Sequence, residues 1–249
     1  KCGSRYIKYF GSGTEKLEEE LGQLLPTARL VRMDRDTTGR KLAHTEILTQ
    51  FRNRDFDILL GTQMVAKGHD LPGVHAVGII SADASLNLPD FRAAERCFML
   101  ITQTAGRAGR HGARGEVIVQ TYNPEHYAVR TAMHQDYVSF YAHEIALRRE
   151  LFYPPFSRLV KLLFRDPQRA RAWETARDFV AVAQRAFARR QDCTIIGPSP
   201  ALIERERGVY RFIVLIKTGV LASVQEFLRE QGVHLRDDIA IDIDPIAIF

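Results

Sequence analysis

Residues 56–61 (FDILLG) form a short apolar run that ends in glycine and leads into the polar loop 61–72 (GTQMVAKGHDLP). A run of this length and composition predicts a strand buried on both faces of a parallel sheet. Outward from it, the same patterns predict strands at residues 7–11, 28–33, 75–81 and 115–121, and helices at 12–25, 44–54 and 91–104. Strands that alternate with helices indicate an α/β fold with helices on both faces of a parallel sheet.

Two local signals in the first part of the chain predict where helices begin and end. Ser12 and Glu15 have the spacing of a capping box, so the first helix is expected to begin after Ser12. Residues 125–151 are expected to form one long helix, with an inner face at Val129, Met133, Val138, Tyr141 and Ile145.

The string Tyr153-Pro154-Pro155 is the strongest break in the chain, because proline cannot continue a helix. Beyond it the order changes to strand, helix, strand, strand, helix, strand, which is the ferredoxin-like split unit of a smaller α+β domain. The expected long helix at 168–190 has Trp173, Ala176, Val180, Ala183 and Phe187 on one face. The expected domains are residues 7–124, a connecting helical segment at 125–153, and 154–249.

Composition excludes several classes of protein. A hydrophobic fraction of 45% with a net charge of only +5 argues against disorder. No uncharged apolar run is long enough to span a membrane, and the first ten residues lack a signal-peptide core, so the cytoplasm is the expected compartment. Cys2, Cys97 and Cys193 are too few and too scattered for a disulfide framework, and Cys97 and Cys193 are expected to be small core or edge residues.

The most informative string is 103–110 (QTAGRAGR), at the end of a predicted helix. Arg107 and Arg110 are three residues apart, which puts them on one side of a helical turn, and Gly106 and Gly109 leave room for phosphates beside them. An arginine that reaches a nucleotide bound elsewhere can stabilise charge on a transferring phosphoryl group. Two arginines alone would indicate a solvated basic turn. The complete string of residues 103–110 instead favours a functional site.

The loop after residues 56–61 is the second signal, because open α/β sheets bind ligands at the carboxyl ends of their strands. Thr62 and nearby backbone N–H groups could hold a nucleic-acid phosphate, and Asp70 could accept hydrogen bonds from a ribose. Taken singly, Lys67 is compatible with a plain surface charge and His69 with an ordinary loop histidine.

Together these strings resemble motifs V and VI of superfamily 2 helicases, and residues 9–15 (YFGSGTE) resemble the motif IV region. The chain is most similar to the PriA family of replication-restart helicases, also called primosomal protein N′. The residues that carry this resemblance are 86–96 (LNLPDFRAAER), 153–158 (YPPFSR), 197–201 (GPSPA) and 242–245 (DIDP). The resemblance implies a RecA-like second helicase lobe followed by the family's C-terminal domain.

The resemblance also implies roles for particular residues. Arg107 and Arg110 would meet the γ-phosphate of ATP, with Arg110 as the arginine finger. The residues implied to contact the nucleotide are Gln103, Asp70 and Gly68, and those implied to contact DNA are Thr62, Gln63 and Lys67. Residues 1–6 would be the end of a zinc-binding insert, in which Cys2 would be one ligand of an incomplete Zn²⁺ site.

The chain contains neither a G-x-x-x-x-G-K-[ST] nor a D-E-x-[HD] string, so ATP and Mg²⁺ would be held mainly by another lobe, and the chain alone is not expected to hydrolyse ATP. The implied partners are forked and single-stranded DNA, single-strand-binding protein and other primosome proteins. Two other functions remain open: a non-catalytic DNA- or protein-binding module that retains a helicase lobe, and a RecG-like translocase. Residues 204–211 (ERERGVYR) are equally compatible with a DNA-stacking hairpin and with a solvated turn.

Overall fold

The computed structural model describes residues 13–34, 43–62, 65, 71–109 and 115–248. The chain divides into two compact units. The first unit consists of Lys1–Leu88 and Arg92–Phe140, and the second, called here the C-terminal unit, consists of Pro89–Phe91 and Tyr141–Phe249. The division between Phe140 and Tyr141 lies inside a continuous helix, whereas the sequence predicted the second domain from Pro154 onwards.

The first unit alternates short strands with helices. Its elements are α1 (Thr14–Leu24), β1 (Leu30–Met33), α2 (Ala43–Arg52), β2 (Ile58–Gly61), β3 (Ala76–Ile79), α3 (Asp83–Leu86), α4 (Ala93–Ala105), β4 (Glu116–Val119), α5 (Tyr127–Met133) and the first turn of α6 (Tyr137–Glu150). Strand β1 pairs in parallel with β2, and β3 pairs in parallel with β4. The alternating α/β pattern is therefore confirmed, whereas the short helix α3 was not expected.

The amino end of α1 differs from the expected capping box. The N-cap residue is Gly13, without a side-chain cap, and Ser12 lies outside the described residues. The hydroxyl of Thr14, the first residue of the helix, instead donates to a carboxylate oxygen of Asp34 at 2.7 Å. Gly13 therefore occupies the N-cap position expected for Ser12, and the first turn of the helix has a tertiary hydrogen bond that the sequence pattern did not predict.

The expected single helix over residues 125–151 is wrong, because the chain breaks between Met133 and Tyr137. Gln135 has a left-handed backbone with φ of 52°, and the Asp136 carboxylate accepts a hydrogen bond from the Ser139 backbone N–H at 3.0 Å, as an N-cap does. The break changes the phase of the second helix. Its expected inner residues Val138 and Tyr141 are exposed. In the first helix Val129 is buried as expected, whereas Met133, its last residue, is exposed.

The C-terminal unit has the predicted order of elements. These are β5 (Arg158–Asp166), α7 (Arg169–Ala186), β6 (Cys193–Glu206), β7 (Val209–Thr218), α8 (Leu221–Glu230) and β8 (Ile239–Ile243). The four strands form one antiparallel sheet in the order β6-β7-β5-β8. The two strands that are central in the sheet, β5 and β7, are not adjacent in the sequence.

Alternation along these strands divides the sheet into two faces. One face carries Val160, Leu162 and Phe164 of β5, which pack in a core with apolar residues of α7 and α8. Ala176, Val180, Ala183 and Phe187 are buried as the sequence predicted. Trp173 was expected to be buried with them, but 38% of it is exposed. It lies at the rim of the core, with its ring edge-on to Phe212.

Candidate functional site

Helix α4 leads directly into the glycine- and arginine-containing string. Its inner face consists of Ala93, Cys97, Phe98, Ile101 and Thr104, which recur at helical spacing and are buried. The Phe98 ring stacks on that of Phe140 with 4.3 Å between ring centres, which helps to fix the helix in the core of the first unit. Because the helix is anchored along this face, the position of its last turn is well defined.

The helix ends at Ala105, and Gly106 is its C-cap. The chain then tightens into short-range turns, in which Arg107 N–H donates to the Thr104 carbonyl at 3.0 Å and Ala108 N–H to the Ala105 carbonyl at 3.2 Å. Gln103 is exposed in the last helical turn, and Arg107 is half-buried just beyond it. The structure therefore brings Gln103 and Arg107 together at one end of α4, while Arg110 lies outside the described residues.

Thr62 lies elsewhere, directly after the carboxyl end of β2. Gly61 is required at this strand end, because an added Cβ would come within 2.6 Å of the Met33 carbonyl oxygen. Thr62 is exposed, and its carbonyl accepts a hydrogen bond from Val65 N–H at 3.1 Å, so the chain turns at once. The other residues expected in this loop lie outside the described residues: Gln63, Lys67, Gly68 and Asp70.

The structure adds a residue to this edge that the motifs did not single out. Register pairing of Met33 with Gly61 makes Asp34 and Thr62 the next residues beyond the same edge of the sheet. The Asp34 side chain is buried, with the residue only 5% exposed, and its carboxylate accepts the hydrogen bond from the Thr14 hydroxyl. The distance between Asp34 Oδ2 and Arg32 Nε is 3.3 Å. A carboxylate immediately after a predicted strand was the available signal in the sequence.

Neither cysteine among the described residues has the character of a metal ligand. Burial is the main reason that the pKa of the Cys97 thiol is raised to about 11, which keeps the thiol neutral. Cys193 is half-buried, and burial raises the pKa of its thiol as well. Cys97 is thus the core residue that the sequence predicted. Within the described part of the chain, no cluster of three or more His, Cys, Asp or Glu side chains could hold a metal ion, and Cys2 lies outside that part.

The hairpin between β6 and β7 has its turn at Arg207 and Gly208, both with positive φ. Near the turn, the guanidinium of Arg205 lies 5.1 Å from the centre of the Tyr210 ring. The same ring packs against the core of the C-terminal unit. Tyr210 thus already has a cation and core residues as neighbours, which favours a structural role over base stacking.

Comparisons with known proteins agree with these observations. Residues 6–112 match a family model described as the helicase conserved C-terminal domain, and residues 149–246 match one described as the primosomal protein N C-terminal domain. The first part of the chain is thus similar to a helicase C-terminal domain, and the second part to a primosomal C-terminal domain.

Three curated relatives share the name Replication restart protein PriA. The Bacillus subtilis protein is 42% identical and covers 98% of this chain, the Treponema pallidum protein is 40% identical and covers 99%, and the Synechocystis protein is 38% identical and covers 100%. The chain belongs to the PriA family, and its two family-model matches are both to C-terminal domains. It spans between 30% and 38% of the length of these three relatives.

Proposed function

We propose that this chain is the second motor lobe and C-terminal domain of an ATP-dependent DNA helicase that recognises stalled or forked DNA and restarts replication by primosome assembly. The observation that carries the proposal is the position of the string at residues 103–110. It begins in the last turn of α4, a helix anchored by one buried face inside the region that matches the helicase family model, and Gln103 and Arg107 lie at the same end of this helix.

The proposed architecture is a RecA-like lobe followed by a ferredoxin-like domain. Parallel pairing of β1 with β2 and of β3 with β4 supports the first. The antiparallel order β6-β7-β5-β8, with both helices following alternate strands of the split unit, supports the second.

In this proposal the chain contributes arginines to a nucleotide that another lobe holds. ATP with Mg²⁺ would supply the transferring phosphoryl group, and the guanidinium groups of Arg107 and Arg110 would stabilise its charge. Gln103, Asp70 and Gly68 would contact the nucleotide. Thr62 fits a contact to a DNA phosphate because it is exposed directly after the carboxyl end of β2; Gln63 and Lys67 would extend that contact.

The remaining parts of the proposal come from the family. Cys2 would complete a Zn²⁺ site with thiolates of a longer protein. Forked and single-stranded DNA, single-strand-binding protein and other primosome proteins would be the partners. This role would place the protein in the cytoplasm. No helix in the described residues has the length and apolar character needed to cross a membrane.

The test is ATP hydrolysis by the full-length protein carrying Arg110→Ala, with forked DNA present. Loss of an arginine finger should lower turnover by about 10³-fold or more while DNA affinity stays nearly unchanged. Arg110→Lys should be a poor substitute, because lysine lacks the planar fork. Arg130→Ala is the matched control, because Arg130 is exposed and its only described ion pair is with the exposed Glu125 at 3.7 Å.

Near-normal turnover by the Arg110→Ala protein would reject the assigned role. A full-length protein that binds forked DNA without any DNA-dependent ATP hydrolysis would instead support a non-catalytic binding module. Residues 1–249 alone should not hydrolyse ATP.

A further inference from the structure

Helix α1 is attached to strand β1 by polar contacts along one of its faces. The Thr14 hydroxyl donates to Asp34 Oδ2 at 2.7 Å. The Glu18 carboxylate lies 3.5 Å from Arg32 Nε. Residues four apart in a helix share a face, so both contacts come from the same side of α1. No residue of α1 is fully buried, so apolar packing alone gives the helix little hold on the strand, and the polar contacts decide much of where its first turn lies.

Asp34 is at the centre of these contacts. One oxygen of its buried carboxylate, Oδ2, accepts from Thr14 and lies 3.3 Å from Arg32 Nε. Arg32 Nε is itself buried, and only 18% of the Arg32 side chain is exposed. A buried carboxylate needs such neighbours, because a charge removed from water is costly without compensation. Asp34 therefore has little freedom to move. We call Thr14, Glu18, Arg32 and Asp34 the Asp34 network.

The backbone next to Asp34 is in close contact with the strand that leads to Thr62. Met33 and Gly61 are register partners in the parallel pair of β1 and β2. An added Cβ at Gly61 would come within 2.6 Å of the Met33 carbonyl oxygen, so the two backbones approach each other more closely than a side chain would permit. A shift of residues 33–34 would therefore be transmitted to residues 61–62.

Thr62 depends on this strand edge for its own position. Its side chain is exposed, and the chain turns directly after it through the hydrogen bond from Val65 N–H to the Thr62 carbonyl at 3.1 Å. Asp34 follows the last residue of β1, and Thr62 follows the last residue of β2. The Asp34 network thus lies at the edge from which Thr62 projects.

We propose that Asp34 is a positioning residue, which holds the strand edge beneath Thr62 and so orients the Thr62 hydroxyl for a DNA phosphate. The DNA contact of Thr62 rests on the proposed function. The Asp34 network does not, because it is defined by contacts inside the first unit. In this role the effect of Asp34 on DNA affinity passes through Thr62 and requires no contact between Asp34 and DNA.

The first test is hydrogen exchange of residues 1–249 carrying Thr14→Val. Valine keeps the branched shape of threonine and changes no charge, so the variant removes the hydrogen bond to Asp34 and little else. The amides of β2 should exchange about fivefold faster, because local opening of the strand edge becomes easier. Thr131→Val is the matched control. Thr131 is also half-buried in the first unit, and its hydroxyl donates at the same distance, 2.7 Å, to the Tyr127 carbonyl within α5.

Thr14→Ser should restore slow exchange, because serine keeps the hydroxyl. Asp34→Ala should reproduce the effect from the acceptor side and enlarge it, since it also removes a charge partner of Arg32. Unchanged exchange of β2 in Thr14→Val, or equal acceleration in Thr131→Val, would overturn the proposal. Exchange in α4 reports general loosening of the first unit, and an equal acceleration there would overturn it too.

The second test is a double-mutant cycle on the affinity of the full-length protein for single-stranded DNA, measured by fluorescence anisotropy. Thr14→Val should weaken binding about threefold in the protein with Thr62. It should leave binding nearly unchanged in a protein that already carries Thr62→Val, because the effect passes through that hydroxyl. Equal weakening in both backgrounds would show that the Asp34 network acts on DNA binding by another route, which contradicts the positioning role.

Together the two tests separate this inference from the proposed function. Faster exchange of β2 in Thr14→Val, with no effect of Thr62→Val on DNA affinity, would reject the DNA contact of Thr62 and uphold the hold of Asp34 on the strand edge. Weaker DNA binding by Thr62→Val, with unchanged exchange in Thr14→Val, would reject the role of Asp34 and uphold the DNA contact.

Discussion

The backbone N–H of Gly109 donates a hydrogen bond to the carbonyl of Val74 at 3.1 Å. This bond ties the end of the turn that contains Arg107 to the residue two positions before β3. Gly109 has a left-handed backbone with φ of 72°, which glycine adopts without cost and other residues rarely adopt. The backbone conformation is therefore a sufficient reason for glycine at position 109 of the string 103–110, apart from any contact with phosphate.

Gly109→Ala should destabilise the first unit by about 1–2 kcal/mol, the cost of a Cβ in the left-handed region. The measurement is the denaturant midpoint of residues 1–249, followed by a probe in the first unit. Gly22→Ala is the control with the opposite expected sign. Gly22 lies in α1, an added Cβ there meets Leu30 at an ordinary 3.9 Å, and alanine in a helix is favoured by up to about 1 kcal/mol. Equal shifts from the two variants would contradict this account.

Thr62→Val should leave folding intact and weaken the grip on DNA. Thr62 is exposed, and valine has nearly the same shape as threonine, so removal of the hydroxyl should change stability little. A lost hydrogen bond to a phosphate should cost about 0.5–1.5 kcal/mol of DNA affinity. Fluorescence anisotropy with single-stranded DNA and DNA-stimulated ATP turnover of the full-length protein measure the effect.

Thr49→Val is the control for Thr62→Val, because Thr49 is exposed on α2 and its hydroxyl donates to the Thr45 carbonyl of the same helix at 2.8 Å. This variant should leave DNA affinity unchanged. If Thr62→Val lowers the melting temperature and leaves DNA-stimulated turnover intact, Thr62 acts as a cap for its own loop and not as a DNA contact.

The sequence predicted those helices and strands whose position depends on the spacing of apolar residues along the chain. The period of apolar residues in α4 and the length of the FDILLG run predicted a helix and a strand, and both form within two residues of the expected bounds. The order of elements in the C-terminal unit also followed from local periodicity. The string at residues 103–110 could be recognised because it is itself a local sequence.

The features that were missed depend on contacts between distant residues. Phe91 reads as the first residue of a helix, yet its ring stacks on Tyr153 and belongs to the other unit. Ser12 and Glu15 read as a capping box, yet the N-cap residue is Gly13, and the hydroxyl of Thr14 donates to Asp34. The break before α6 needed a left-handed Gln135, a conformation for which glutamine carries no sequence signal.

Asp57 should make stability depend on pH at the acidic end. Hydrogen bonds from the Arg29 side chain, and then from the Arg29 backbone N–H, lower the pKa of Asp57 from 3.8 to about 2. As pH falls from about 4 to about 2, the unfolded chain takes up a proton that the folded carboxylate does not, so stability falls. Above that window the contribution is complete.

Asp57→Asn should therefore flatten the fall in stability between about pH 4 and pH 2, measured by urea unfolding at several pH values. The pair is exposed, so 1 M salt should reduce the difference between the two proteins. Asp55→Asn makes the same charge change two positions away, at a carboxylate without a hydrogen bond to Arg29 in the described structure. An equal flattening by both variants would show that the effect is one of net charge.

Tyr210 tests whether the hairpin of the C-terminal unit stacks on DNA or is a structural turn. Its ring lies against the core of the unit and under the Arg205 guanidinium, so Tyr210→Leu should destabilise the unit by about 1–2 kcal/mol. Affinity of the full-length protein for forked DNA should stay the same, because this ring is not free to stack on a base. Tyr122→Leu, at a residue that is 86% exposed, should change stability by no more than about 0.5 kcal/mol. A Tyr210→Leu protein with normal melting and tenfold weaker DNA binding would show that the hairpin uses this ring to hold a base.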